Sequence, residues 1–165
     1  MTDRHTIKPT HKAIKDYNAA LAAYADQSVS HEGAVRSAFQ NLLAAAAHPL
    51  GWTLIPELSD ASPREGKAAT IRPDGTFRDE FYIERGYCEA KDSADDLDIE
   101  IKNKIAKGYR LTNTIFEDTA RARPYQDGRP AGDYDLTKPQ HLADPGERLP
   151  LPHRAGPRQL RKGHR

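Results

Sequence analysis

Apolar residues recur every three or four positions through the first part of the chain. Ile14, Tyr17, Leu21 and Tyr24 hold that spacing among many alanines over residues 11–27, which predicts an amphipathic helix. A second helix is expected from Ser30, a suitable N-cap, to about Ala47. Its apolar positions are Val35, Phe39, Leu42, Leu43 and Ala46, and His48-Pro49 followed by Gly51 stops it. The period then shortens. Trp52–Leu58 reads as a strand, and Pro56 places it at a sheet edge. Residues 59–70 are a polar loop. Phe81-Tyr82-Ile83 and Tyr87-Cys88 are two apolar halves, with Glu84-Arg85-Gly86 expected to form the hairpin turn between them.

The helical period returns after Asp92. Ser93 and Asp96 resemble a capping box, and Leu97, Ile101, Ile105 and Tyr109 form one stripe. Asp98–Lys102 and Glu100–Lys104 are i, i+4 pairs on other faces, and Gly108 fits the helix end. Thr112–Glu117 favours extension, and Tyr125-Gln126-Asp127-Gly128 starts another hairpin turn. The expected order is helix, helix, strand, strand, strand, helix, strand. That is an α/β fold with a mixed central sheet of about four strands flanked by helices. It divides into an N-terminal helical extension (1–29), a core (30–128) and a Pro/Arg-rich tail (129–165) expected to be disordered.

Composition narrows the function classes. A chain of 165 residues has room for one domain with a real core. No apolar stretch approaches a membrane span or a signal peptide, so a cytoplasmic protein is expected. The single cysteine, Cys88, excludes an internal disulfide framework. The histidines show no zinc-site spacing, and no Ser-His-Asp or redox motif is present. Net charge is +1, yet residues 1–147 carry −5 and the last 18 residues carry +6. A core of that charge does not attract nucleic acid in bulk; it needs a local basic patch and a cation.

The candidate chemistry lies in Glu89-Ala90-Lys91, inside Gly86-Tyr-Cys-Glu-Ala-Lys-Asp92, with Arg72-Pro73-Asp74-Gly75 upstream. On a strand, Glu89 and Lys91 share a face, with Cys88 and Ala90 on the other. Two carboxylates and an ammonium suit metal-assisted phosphodiester cleavage: the acids hold a hard divalent cation and the lysine orients the attacking water. Alone, Glu-x-Lys is more often an exposed ion pair of little consequence. Asp74 is the first candidate for the second acid, fifteen residues before Glu89; Asp79, ten before, is its rival. Glu89 is expected to ligate the metal, with the Ala90 carbonyl as a further oxygen and Lys91 near the scissile phosphate. Glu32 shares the inward stripe of Val35 and Phe39, as either a functional acid or an N-terminal helix acid paired with Arg36. Asp92, Asp95, Asp96 and Asp98 read as helix N-terminal acids. Lys102, Lys104, Lys107 and Arg110 are candidates for phosphate contact, although a solvated helix face is the commoner reading of such a run.

These residues, in this order of elements, resemble the PD-(D/E)xK superfamily of restriction-endonuclease-like nucleases over roughly residues 30–120. The stretches Arg72–Asp79 and Gly86–Asp98 resemble more closely the N-terminal Mrr-like nuclease module of Type ISP single-chain restriction–modification enzymes. The resemblance implies a Mg²⁺- or Mn²⁺-dependent endodeoxyribonuclease acting on double-stranded DNA in anti-phage defence, with Asp74, Glu89 and Lys91 catalytic and Glu32 as a third acid. It implies helicase-like, methyltransferase and target-recognition domains as partners, and transient pairing for double-strand cleavage. The chain itself carries no Walker-type or methyltransferase motif. The alternative is a truncated, non-catalytic module of the same fold that binds nucleic acid or protein.

Overall fold

A computed structural model of the chain describes residues 12–30, 32–59, 70–91 and 96–138. Two helices, α1 (Lys12–Asp26) and α2 (Glu32–Ala47), form where the periodicity places them. Each has one apolar stripe, and the stripes cover one another. Ile14 and Tyr17 of α1 pack with Phe39, Leu42 and Leu43 of α2 in a single buried cluster. The rings of Tyr17 and Phe39 meet edge to face, 6.1 Å apart. Helix α1 is thus part of the core, which corrects the boundary drawn at residue 30. A short 3-10 turn at His48–Leu50 ends at Gly51, whose φ of 71° lies in the left-handed region that glycine tolerates.

The sheet holds β1 (Thr53–Pro56), β2 (Gly75–Arg78), β3 (Glu84–Ala90), β4 (Thr114–Glu117), β5 (Arg121–Gln126), β6 (Arg129–Pro130) and β7 (Tyr134–Asp135). The order is β1-β2-β3-β4-β5-β6, with β7 also paired to β5. β3 and β4 run parallel and the other pairs antiparallel. A parallel pair needs a long crossover, and α3 (Leu97–Ala106) supplies it. Adjacent residues in a strand face opposite ways. Phe77, Cys88, Ile115 and Ala122 therefore join the α1–α2 cluster, while Phe116 and Tyr125 pack against Leu97 and Ile101 of α3. As Pro56 predicts, β1 is an edge strand.

Three further expectations are corrected. Glu84-Arg85-Gly86 is strand, not turn: Gly86 faces Phe77 and Glu84 faces Arg78. The hairpin turns one step earlier, over Asp79–Ile83, because the Asp79 carboxylate accepts the N–H of Phe81 (2.9 Å) and of Ile83 (3.0 Å). Phe81, Tyr82 and Ile83 are consequently exposed, at 65%, 80% and 50%. Second, among the described residues the sheet has seven strands rather than about four. Pro124 disguised β5. Its carbonyl accepts the Ala131 N–H, at 2.8 Å. The missing N–H of Pro124 points the same way, towards the outer side of β5, so pairing with β4 is undisturbed. Asp127 and Gly128 make the turn into β6 with φ of 50° and 81°, as a two-residue hairpin turn requires. Third, the core does not stop at residue 128: Tyr134 and Leu136 are buried in the α1–α2 cluster. Residues 139–165, with most of the expected tail, lie outside the described residues.

The N-cap of α3 is Asp96, whose carboxylate accepts the N–H groups of Asp98 and Ile99. Ser93 of the expected capping box, and Asp92 and Asp95 of the acidic run, lie outside the described residues. At the other end Gly108 takes a φ of 89°. Its N–H donates to the Ile105 carbonyl (2.9 Å) and the Tyr109 N–H to the Lys104 carbonyl (3.0 Å). This pair of bonds is a Schellman motif, and it folds Tyr109 back over the last helical turn.

Candidate active site

Asp74 stands at the entry to β2, beside the end of β3. Gly75 faces Cys88 across the β2–β3 ladder, so Asp74 is level with Glu89. Only glycine fits at 75: a Cβ there would lie 2.5 Å from Cys88 Sγ and 2.6 Å from Leu54 Cδ1. The two acids are joined through the main chain. The Asp74 N–H donates to Glu89 Oε1 at 3.3 Å, and the Ala90 N–H donates to Asp74 Oδ2 at 2.8 Å. Helix α2 holds Asp74 from the other side. Arg36 Nη1 donates to Asp74 Oδ1 (3.0 Å) and Gln40 Nε2 to the Asp74 carbonyl (2.8 Å).

Glu89 is only 1% exposed. Burial, and then the charge of Asp74, push its carboxyl up from the usual 4.5 to about 7, against the pull of Lys104 and the Asp74 N–H. Lys104 of α3 places its Nζ 2.7 Å from Glu89 Oε2. Burial opposes the charge on Lys104, but its bond to Glu89 outweighs that and raises its pKa. Its ammonium also lies over the ring of Tyr109, 4.3 Å from the centroid. Cys88, on the opposite face, is buried, and burial followed by the charges of Asp74 and Glu89 pushes its thiol well up. It is an inert core group.

Lys91 continues the ladder, its N–H donating to the Glu117 carbonyl at 2.8 Å. Its Nζ lies 3.3 Å from Glu100 Oε2. Glu89, Lys91, Glu100 and Lys104 thus form two crossed ion pairs between β3 and α3. A two-residue step on a strand covers about 6.6 Å. A four-residue step on a helix rises about 6 Å. The match lets both pairs form together. It also replaces the expected local pairs of α3: Glu100 and Lys104 bind the strand, and Asp98 binds Arg123 of β5.

The structure therefore brings together Asp74, Glu89 and Ala90, with Lys91 alongside. Asp79 is elsewhere. It lies at the far end of β2, roughly 16 Å along the strand at about 3.3 Å per residue. Both its oxygens serve the turn, Oδ2 accepting from Arg85 Nε at 2.8 Å. Glu32 is the first residue of α2, and its side chain lies outside the described residues. Lys102, Lys107 and Arg110 are exposed on and beyond α3, whereas Lys104 is turned inward onto Glu89. Gln40 was not singled out by sequence, and Arg36 only as a partner for Glu32, not for Asp74. Sequence offered no distinct signal, because Ser37 and Asn41 form a neighbouring polar pair with the same spacing of four.

The donor set fits a hard cation. Two adjacent carboxylates, one buried and resisting ionisation, carry negative charge that a divalent ion would neutralise, and all donors are oxygen. Among the described residues no group of three or more His, Cys, Asp and Glu is gathered, so further ligands would be a carbonyl and water. Among those residues no helix is long and apolar enough to cross a membrane.

No protein-family model matches the sequence, and the search of curated proteins finds no match. Among solved structures, the chain is similar to one in the cryoEM structure of a DrdV–DNA complex. The two are 37% identical with a TM-score of 0.72, over 78% of this chain and 12% of that one. The chain thus spans 12% of the length of that protein. The architecture is a restriction-endonuclease-like α/β fold with a mixed sheet.

Proposed function

We propose that the chain is the metal-dependent DNA endonuclease module of a restriction–modification system. The observation that carries this reading is the main-chain-linked pair Asp74 and Glu89, with the Ala90 N–H on Asp74 and Lys91 on the same edge. The likeness to a chain solved on DNA supports DNA as the substrate. Asp74, Glu89 and the Ala90 carbonyl would hold Mg²⁺ or Mn²⁺. When bound, such an ion would polarise the phosphodiester and lower the pKa of the attacking water.

The protein's own groups do the rest. Arg36 and Gln40 fix Asp74 so that its carboxylate stays beside Glu89. Lys91, parked on Glu100, keeps an ammonium within reach of the scissile phosphate and offsets charge building on its oxygens. Lys102, Lys107 and Arg110, exposed around the end of α3, contact flanking phosphates. Helicase-like, methyltransferase and target-recognition domains would supply motion and specificity, the module would act in the cytoplasm, and two copies would pair transiently to cut both strands.

The experiment is nicking of supercoiled plasmid with Mg²⁺ or Mn²⁺. Asp74→Ala, Glu89→Ala and Lys91→Ala are each expected to abolish it while keeping the folded circular-dichroism spectrum. Wild-type nicking by Glu89→Ala would end the proposal.

A second reading has one observation in its favour. Arg36 and Lys104 already pair both acids, as in a closed structural ion network. A module that binds nucleic acid or protein without cutting would keep such a network and would show no Glu89-dependent uptake of Mn²⁺.

A further inference from the structure

Glu89 presents an unusual problem. Its carboxylate is buried beside a second carboxylate, and an ionised acid there requires a positive partner in direct contact. Lys104 meets that need at 2.7 Å from Oε2, with its side chain 14% exposed. Oε1 already accepts the Asp74 N–H, so Oε2 is the oxygen left for a metal ion, and an ammonium and a divalent ion cannot both sit on it. Lys104 has a second station. Its Nζ already lies 4.3 Å from the centre of the Tyr109 ring. That ring is held by the Schellman turn, and its hydroxyl donates to the Arg72 carbonyl at 3.3 Å. The ring contact is made at the same time as the carboxylate contact, so a side-chain rotation that gives up the carboxylate can keep the ring.

We propose that Lys104 is a resident counter-ion: it stands in for a divalent cation at Glu89 Oε2 and, when a metal ion enters, gives up that oxygen while staying over Tyr109. This rests on the nuclease reading of the same site. Lys104 then acts on the metal through Glu89, as a positioning residue. The observed metal affinity is the intrinsic affinity of the acids less the work of displacing Lys104. The ammonium thereby keeps the acids assembled between metal-bound states and sets the cation concentration at which the site fills.

The test titrates Mn²⁺ calorimetrically into the full chain as wild type, Lys104→Met, Lys104→Gln and Glu89→Gln. Lysine acylation is mapped with and without Mn²⁺ in parallel. The expected result is tighter Mn²⁺ binding by both Lys104 variants, by about tenfold or more, the equivalent of roughly 1.4 kcal/mol. Lys104 should be protected from acylation in metal-free wild type, exposed on adding Mn²⁺, and exposed from the outset in Glu89→Gln. Equal or weaker binding by the Lys104 variants, with Glu89-dependent binding in wild type, overturns the counter-ion role. So does Lys104 protection that Mn²⁺ leaves unchanged, a reading that holds even if Lys104→Met fails to fold. Mn²⁺ binding equal in wild type and Glu89→Gln overturns the metal site itself, and the counter-ion role with it.

Discussion

The guanidinium of Arg36 lies 3.0 Å from Asp74 Oδ1 and ties α2 to the mouth of β2. Asp74 is half-buried, and a carboxylate deprived of a charged donor there loses a bond worth about 1.5–3 kcal/mol. Arg36→Met is therefore expected to destabilise the protein by roughly 1–3 kcal/mol in urea unfolding. An unchanged midpoint would mean that the guanidinium does not support Asp74.

Removing one ligand without changing shape should cost activity rather than fold. Asp74→Asn and Glu89→Gln keep the side-chain volume and should lower nicking by at least about a hundredfold, the scale of losing one charge-stabilising group. Near-native melting temperatures would show that the loss is chemical. A drop of under threefold in either variant would remove that residue from the reaction.

The raised pKa of Glu89 has a definite sign. With a folded pKa of about 7 against 4.5 when unfolded, the folded chain takes up more protons between those values. Its contribution to stability is fully present below pH 4.5 and is lost as pH rises through about 7. Lys104, raised as well, stays charged throughout that window. In EDTA, the stability of wild type relative to Glu89→Gln should therefore fall from pH 5 to pH 7.5. Mn²⁺ affinity should move the opposite way, weakening as pH drops below about 7, because the ion must displace a proton. Parallel stability curves for the two proteins would refute the assignment.

Asp79 and Asp74 separate cleanly by substitution. Asp79→Ala removes the acceptor for two turn N–H groups and for Arg85. It should lower the melting temperature yet leave Mn²⁺ affinity within twofold of wild type, while Asp74→Ala should weaken Mn²⁺ binding sharply. Loss of Mn²⁺ binding in Asp79→Ala would reinstate it as the first acid.

Gly75→Ala tests the close approach of β1, β2 and β3. The added methyl meets Cys88 Sγ and Leu54 Cδ1 at 2.5 and 2.6 Å. Overpacking of this kind costs about 1–3 kcal/mol. Cys88→Ala in the same chain should recover part of the loss, and no recovery would locate the strain elsewhere.

Much of this was legible in the chain itself. α1, α2 and β4 announce themselves by apolar spacing, and the fifteen-residue gap from Asp74 to Glu89 permits a hairpin, but only the turn at Asp79–Ile83, not the one expected at Glu84–Gly86, sets the two level. Local rules failed where a side chain replaced the usual turn residue. Asp79 built a turn that Gly86 seemed to claim, and Gly86 went into β3. Pro124 hid β5 because its missing N–H faces outward, which no local rule reveals. The charge partners were the least legible. Glu100 and Lys104 look like a helical pair, and only the passage of α3 over β3 redirects them to Lys91 and Glu89.

The common stride of strand and helix makes the four charges inseparable. Deleting one residue from β3 ahead of Glu89 would swing both Glu89 and Lys91 through the sheet into the oily layer under α1 and α2, and strand Glu100 and Lys104 without mates. A residue added or removed at the Asp79–Ile83 tip would instead leave the phase of the strand untouched.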